Sequence, residues 1–171
     1  AHCAAMESLF HTQIDLRAQF ARSIAEELER VAMHMAGLGG IANDIGLAIA
    51  ASSYGRLRTL VINRLAALCG SRFGRGLFVY GGVRCDFNDE IIAAVMANLE
   101  TVARDVAEIN EFMFTSTGAL IRFERTGVIT DEFARTIGLV GPAARSCGID
   151  LDTRIQRPYG AYRYAPVSPM T

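Results

Sequence analysis

Residues 17–40 read RAQFARSIAEELERVAMHMAGLGG, and this stretch predicts the helix around which the chain is organised. Apolar residues recur at alternating steps of four and three, which places them on one face of a helix. They are Ile24, Leu28, Val31, Met35 and Leu38. We expect Gly39-Gly40 to end the helix, because glycine readily adopts the left-handed conformation of a C-terminal cap.

A polar column runs beside that apolar stripe. Glu27, Arg30 and His34 follow the same helical spacing. Burying such groups is unfavourable unless they are paired, so we expect them to be substantially buried and joined by hydrogen bonds. Two interpretations stay open: a structural ion pair with a satisfied histidine, or part of a functional site.

The composition indicates one compact globular domain over residues 1–171. Hydrophobic residues make up 51% and charged residues 20% of the chain, as in soluble globular proteins. A net charge of -1 argues against a nucleic-acid-binding protein, which normally carries a basic surplus. No window approaches eighteen apolar residues, so we expect no transmembrane segment.

The cysteines bear on the cellular compartment of the protein, and the first residues bear on whether the chain is part of a longer protein. The four cysteines are scattered, without a C-x-x-C pair, which favours reduced thiols in a cytoplasmic setting. The chain begins Ala-His-Cys, without an initiator methionine, and we expect it to be a central fragment of a longer protein. It has no H-E-x-x-H zinc motif, P-loop, Rossmann glycine fingerprint or Glu-x-x-His di-iron motif.

The remaining periodicity predicts a mainly α fold. We expect a bundle of three long helices with short helices, and a small irregular or β-containing segment at residues 70–87. Ser52 or Ser53 can cap the second long helix, which Gly70 ends. Asn88 can cap the third, over residues 89–115. Shorter helices are predicted at residues 4–10 and 131–137, the latter capped by Thr130.

Charged residues also follow the predicted helices and strands, in glycine-bearing apolar surroundings. Each is explained more simply as a loop-anchoring ion pair, but loops on a rigid scaffold are also where functional sites are assembled. The residues concerned are Asp44, Arg72, Arg84, Asp86, Arg145, Asp152 and Arg154.

An ordered series of motifs carries a family resemblance along nearly the whole chain. The series is ELERVAMH (27–34), DIG (44–46), GSRF (70–73), GGVRCD (81–86), VGPAARSCG (140–148) and DTRIQRPY (152–159). It resembles the large subunit shared by nickel–iron hydrogenases and respiratory complex I. The similarity is greatest to the energy-converting, membrane-bound hydrogenases of the formate hydrogenlyase type.

The resemblance implies part of an oxidoreductase of the hydrogenase or NADH dehydrogenase type. Such a helical subunit docks on an iron–sulfur (small) subunit, peripherally, on the cytoplasmic side of the inner membrane. The parent complex would pass electrons from iron–sulfur clusters in partner subunits to protons or quinone. No nucleic-acid partner is expected.

Two departures bear on the branch of the family. In complex I members the equivalent of Asp44 follows a histidine at the quinone cavity, and Ile41 stands in place of that histidine. Tyr80 replaces a proline of the complex I members, while Asp152-Thr153-Arg154 follows the hydrogenase pattern. The resemblance therefore speaks against quinone chemistry at Ile41, and Tyr80 and the Asp152-Thr153-Arg154 pattern favour the hydrogenase branch.

The metal ligands of that branch are missing from this chain. Its members hold nickel and iron with two C-x-x-C pairs, and the resemblance places His2 at the histidine that follows the first pair. Paired thiolates are what such a centre requires. We therefore expect no nickel–iron site in this chain alone, although the full-length parent could have one.

Within this family picture, Glu27, Arg30 and His34 would support a cavity, with His2, Arg145 and Asp152 as further candidates to line or brace it. We expect four charged groups to converge on one face, namely Asp44, Arg84, Asp86 and Arg154.

The alternative to an oxidoreductase subunit is a non-catalytic scaffold or assembly subunit. C-x-x-C pairs in the flanking sequence would favour the hydrogenase interpretation.

Overall fold

The computed structural model describes residues 1–168, and its mainly helical architecture confirms the predicted fold class. Within these residues there are eight α-helices, a two-stranded antiparallel sheet and one 3-10 helix. In chain order they are α1 (His2–Leu9), α2 (Leu16–Asp44), α3 (Ala48–Cys69), β1 (Phe78–Val79), β2 (Gly82–Val83), α4 (Asp89–Thr115), α5 (Thr117–Phe123), α6 (Asp131–Thr136), α7 (Gly141–Ser146), α8 (Thr153–Gln156) and the 3-10 helix Gly160–Arg163.

The chain divides into two compact units, Ala1–Arg122 and Phe123–Thr171. The first contains the three long helices and the β1–β2 hairpin. Within the described residues, the second contains only short helices. The single domain expected from composition stays a prediction.

Helix α2 packs on α3 through a seam of small residues. The buried positions of α2 recur at steps of four and three, and apart from Leu28 and Met35 the apolar ones are alanines: Ala21, Ala25, Ala32 and Ala42. The buried residues of α3 include larger side chains, among them the fully buried Tyr54 and Leu57. The predicted stripe is therefore only partly correct: Leu28 and Met35 are buried, whereas Ile24, Val31 and Leu38 are half-buried.

The predicted end of α2 at Gly39-Gly40 is wrong, because the helix continues to Asp44. A Cβ atom at Gly39 would lie 3.3 Å from the Cβ of Tyr54, so this glycine permits the close approach of α3. The chain turns instead at Gly46, whose φ is +83°. Helix α3 then begins at Ala48 and not after a serine cap, and the Ser52 hydroxyl donates within the helix to the Ile49 carbonyl.

The later boundaries of the first unit confirm the local predictions. Gly70 ends α3 in the left-handed conformation, and the Asn88 side chain caps α4 by accepting from the Ile91 N–H at 2.8 Å. Helix α4 packs on α3. The segment at residues 70–87 contains the short hairpin β1–β2, in which Phe78 pairs with Val83.

The second unit has its own small core of Ala134, Ala144 and Ile149. Thr130 caps α6 as predicted, by accepting from the Phe133 N–H at 3.3 Å. In the 3-10 helix and the residue before it, Tyr162 and Tyr159 contact each other edge to face.

Candidate functional site at the hairpin end of helix α2

The most buried charged groups of the first unit are Glu7 on α1 and Arg22 on α2. Their exposed fractions are only 4% and 9%. The Arg22 guanidinium donates to both carboxylate oxygens of Glu7, from Nη1 to Oε2 at 2.9 Å and from Nη2 to Oε1 at 2.7 Å. This two-bond geometry is the strongest form of the arginine–carboxylate pair.

The same pair holds the β1–β2 hairpin. Arg22 Nε and Nη2 donate to the Gly82 carbonyl at 3.1 and 2.7 Å, and Nη2 also donates to the Val79 carbonyl at 2.7 Å. The Gly81 N–H in turn donates to Glu7 Oε1 at 2.9 Å. The Arg22 guanidinium lies 5.6 Å from the centre of the Phe78 ring. We call Glu7, Arg22 and the hairpin 78–83 the clamp.

The electrostatics of the clamp keep both groups charged. The hydrogen bonds from Arg22 lower the pKa of Glu7, against the opposing effect of burial. The bond to Glu7 raises the pKa of Arg22 in the same way. A carboxylate with a lowered pKa is a poor proton carrier near neutral pH. The clamp therefore positions the hairpin and is not a group that exchanges protons.

A second arginine of α2 reaches the same region from the outside. Arg17 Nε donates to Asp86 Oδ2 at 2.5 Å, and Arg17 Nη2 donates to the Phe87 carbonyl at 2.8 Å. This pair is well exposed, with 62% and 51% of the two side chains accessible. The hydrogen bond from Arg17 lowers the pKa of Asp86. The pair ties the start of α2 to the segment that leads into α4.

The predicted polar column is only half correct. Arg30 Nε donates to both oxygens of Glu27 at 3.2 Å, as expected. The prediction of substantial burial is wrong, because 38% and 37% of these side chains are accessible and His34 is exposed. The small residues of α2 form the contact with α3. The polar column lies at the edge of that contact, where water reaches it.

The predicted convergence of Asp44 with Asp86 is also wrong. Asp86 pairs with Arg17 in the first turn of α2, whereas Asp44 is the last residue of the same helix. A helix rises about 1.5 Å per residue, so Arg17 and Asp44 lie about 40 Å apart along the axis. Arg84 is exposed beside the hairpin, and its N–H donates to the Leu77 carbonyl.

The remaining predicted residues lie in the second unit or at the first turn of α1. Arg154 donates from Nε and Nη2 to the two oxygens of Asp152, at 3.0 and 2.6 Å. These bonds lower the pKa of Asp152 to about 2. Arg145 Nη1 donates to the Leu151 carbonyl at 3.4 Å, and His2 is exposed. Their predicted roles at a cavity stay predictions.

Sequence reasoning missed both charged members of the clamp. Glu7 and Arg22 are 15 positions apart, and Glu7 meets Gly81 across 74 positions, so no local spacing reveals them. A usable signal was present on α2, where Arg22 directly follows the alanine that opens the small-residue seam. A charge at that place needs a partner.

The part of the chain that the structure describes contains neither a metal-ligating cluster nor a membrane-spanning helix. Between residues 1 and 168, no three histidine, cysteine, aspartate or glutamate side chains form a group that could hold a metal ion. All four cysteines are free thiols and half-buried. In the same residues, no helix has the length and apolar character needed to cross a membrane.

Comparison with known proteins identifies the relatives of this chain. The family model of the respiratory-chain NADH dehydrogenase 49 kDa subunit matches residues 44–167. A NADH-quinone oxidoreductase subunit of Dehalococcoides mccartyi is 31% identical over 163 residues, which is 95% of this chain and 44% of that protein. The subunit of the same name in Clostridium beijerinckii is 32% identical over 157 residues, or 92% of this chain and 42% of that protein.

The chain therefore spans less than half the length of these curated relatives. Among solved structures, a chain of the archaeal membrane-bound sulfane sulfur reductase, a respiratory membrane complex, matches with a TM-score of 0.86. The alignment covers 92% of this chain and 43% of that chain at 24% identity. This likeness establishes a shared fold.

Proposed function

The chain belongs to the family of the 49 kDa subunit of respiratory-chain NADH dehydrogenase, and from that premise we propose that it forms part of the large subunit of a membrane-associated oxidoreductase. The parent complex passes electrons from iron–sulfur clusters in partner subunits to quinone or protons. The observation that carries this proposal is the extent of the match, which reaches from residue 44 to residue 167 and so includes parts of both units.

The clamp supports this proposal through its geometry. A multi-subunit electron-transfer complex must hold its docking surfaces rigidly, because small displacements reduce productive contact. The hairpin 78–83 has only two residues in each strand, too few to be stable alone. Arg22 and Glu7 supply the hydrogen bonds that fix it on α2. We propose that the fixed hairpin contributes to the surface on which an iron–sulfur subunit docks.

The electron acceptor distinguishes a quinone-reducing complex from a proton-reducing complex of the hydrogenase branch. The curated relatives named above are NADH-quinone oxidoreductase subunits, which favours quinone. Ile41 and Tyr80 depart from the complex I pattern: Ile41 speaks against quinone chemistry, and Tyr80 favours the hydrogenase branch. Both side chains are exposed, so neither substitution is explained by core packing. The similarity to the relatives extends over more than nine-tenths of the chain, whereas the two departures concern single residues. We therefore propose quinone as the electron acceptor.

A nickel–iron centre does not fit the residues of this chain. Such a centre needs paired thiolates, whereas Cys3, Cys69, Cys85 and Cys147 are isolated from one another in sequence. If the hydrogenase branch were correct, the ligands would have to come from sequence outside these 171 residues.

Electron transfer in the intact complex tests the proposal. The full-length subunit should be tagged and its complex purified from membranes, with iron–sulfur clusters detected by EPR and quinone reduction followed optically. We expect reducible clusters and quinone-dependent turnover, which Asp44→Asn lowers and the exposed control Asp89→Asn does not. Hydrogen evolution without quinone reduction would support the hydrogenase branch. A complex without reducible clusters or turnover would indicate a scaffold subunit and overturn the proposal.

A further inference from the structure

Three exposed arginines flank the β1–β2 hairpin without an acid of their own. Arg72 and Arg75 precede β1, and Arg84 directly follows β2. In the described residues 1–168, none of their guanidinium groups forms an ion pair or donates a hydrogen bond, whereas every arginine of α2 pairs with an acid. An exposed guanidinium without a partner in its own chain is available to an acidic group of another molecule.

The backbone that carries these arginines is fixed. We call residues 71–77 the arginine loop. It contains two successive turns, in which the Gly74 N–H donates to the Ser71 carbonyl at 3.1 Å and the Leu77 N–H donates to the Gly74 carbonyl at 3.2 Å. Leu77 is buried, and its carbonyl accepts from the Arg84 N–H at 2.8 Å. Because the loop is already ordered, a partner that binds it loses little free energy in ordering it.

Contacts with the loop also place two of the guanidinium groups. That of Arg75 lies 5.8 Å from the centre of the Phe73 ring, which is itself 65% exposed. Nη1 of Arg84 lies 3.5 Å from the position that a Cβ atom would take at Gly76. A guanidinium held over an aromatic face keeps the N–H groups of its edge for an acceptor. Arginines and aromatic residues are also the types that contribute most to protein interfaces.

We propose that the arginine loop and Arg84 dock on an acidic segment of the iron–sulfur subunit, whose carboxylates accept hydrogen bonds from Arg75 and Arg84. The identity of that subunit rests on the proposed function. The surface continues from the hairpin 78–83, since Arg84 is the residue after β2 and the loop leads into β1. Arginine suits this role because its planar group can bind a carboxylate through two parallel hydrogen bonds.

A negatively charged bilayer fits these residues less well than an acidic segment. Recognition of anionic lipids typically needs clusters of about four to eight basic residues, and the loop with Arg84 offers three. Glu26 and Glu29 line the cleft beside residues 73–78 and would repel a broad anionic surface. A short acidic segment can contact the arginines without covering that cleft.

Zero-length cross-linking tests the contact. The chain contains no lysine, so Arg75→Lys introduces an amine at one position and keeps the positive charge. The complex that contains the full-length variant subunit is treated with a water-soluble carbodiimide, which joins an amine to a contacting carboxylate as an amide with loss of water. We expect mass spectrometry to find an amide between position 75 and an aspartate or glutamate of the iron–sulfur subunit. Arg125→Lys, at an exposed residue of the second unit, should give no such product.

Neutral variants measure the contribution of the arginines to assembly. Arg75→Gln with Arg84→Gln should raise the apparent dissociation constant of the iron–sulfur subunit about tenfold at low salt. The difference should shrink as salt screens the charges. Arg104→Gln with Arg125→Gln removes the same charge from two other exposed arginines and should leave the constant unchanged. Native mass spectrometry of the diluted complex measures the constant, and circular dichroism checks that each variant folds.

Two results would overturn this inference alone, in a complex that has reducible clusters and turns over. One is a cross-link from position 75 only to its own subunit, or none at all. The other is an equal effect of the two glutamine pairs. Vesicles of equal phosphatidylglycerol and phosphatidylcholine test the lipid alternative: loss of vesicle binding in the Arg75 and Arg84 variant, with subunit retention unchanged, would also overturn it. A complex that lacks an iron–sulfur subunit would overturn the proposed function together with this inference.

Discussion

Two arginines of α2, eight positions apart, form carboxylate pairs of very different character. Arg22 pairs with Glu7 from another helix, is 9% exposed and donates to both oxygens and to two hairpin carbonyls. Arg30 pairs with Glu27 of its own helix, one turn away, with more than a third of each side chain accessible. The pair that the sequence reveals is thus the weaker one.

The difference between the pairs lies in what surrounds them. Water can replace either partner of the Arg30–Glu27 pair, so its contribution to stability is small. Water cannot easily reach Glu7, so loss of Arg22 would leave a buried carboxylate without compensation. The clamp also joins three elements, α1, α2 and the hairpin, whereas the Arg30 pair joins two turns of one helix. The role of an ion pair is set by its burial and by the elements it connects.

Removal of Arg22 should have the largest effect. Arg22→Ala is expected to lower the free energy of unfolding by about 3–5 kcal/mol, because Glu7 becomes a buried, uncompensated charge. A urea titration measures this, with Arg104→Ala as the control, since that arginine is mostly exposed. A loss under about 1 kcal/mol would show that the hairpin relaxes and admits water, and the contrast between the two pairs would disappear.

Acid should weaken the clamp in a direction fixed by the pKa of Glu7. That pKa is lowered below 4.5 in the folded protein. The stability it contributes is therefore fully present above pH 4.5 and is lost as the pH falls through the folded value. The gap in unfolding free energy between wild type and Glu7→Gln should be widest at about pH 7 and narrow in acid. A gap that stays constant would show that the pKa of Glu7 is not lowered.

Removal of Arg30 should have a small effect. Arg30→Ala is expected to lower the free energy of unfolding by less than about 1 kcal/mol, because Glu27 is partly hydrated. A buried column of Glu27, Arg30 and His34 would have implied a larger loss of unfolding free energy. The same urea titration measures it, beside Arg30→Lys as a variant that keeps the charge. A loss near that of Arg22→Ala would mean that the column is covered in solution.

Local signals predicted the parts of this fold that local physics decides. The Asn88 cap and the Gly70 stop depend on one or two residues and were predicted correctly. The end of α2 was not, because Gly39 serves the approach of Tyr54 and not a cap. That contact belongs to a partner helix, and the spacing of residues within α2 does not contain it.

The candidate site was less predictable for the same reason. Glu7, Arg22 and Gly81 meet only when α1, α2 and the hairpin are in place. The prediction that Asp44 and Asp86 lie together was wrong because α2 is one uninterrupted helix. Asp44 is its last residue, whereas Asp86 pairs with Arg17 in its first turn. Motif order along a chain can identify a family, but it does not specify which charged groups share a surface.

The smallest effect is expected for the exposed pair Arg17–Asp86, and salt should distinguish it from the clamp. Both side chains are more than half accessible, and the screening length falls to about 3 Å at roughly 1 M salt. A double-mutant cycle with Arg17→Ala and Asp86→Asn should give a weak coupling that vanishes at that salt concentration. Arg17→Ala keeps the backbone N–H that Asp15 caps, so the cycle isolates the side chains. The Glu7–Arg22 coupling, shielded from ions, should persist. If the Arg17–Asp86 coupling also survived high salt, exposure would not be what separates strong from weak pairs on α2.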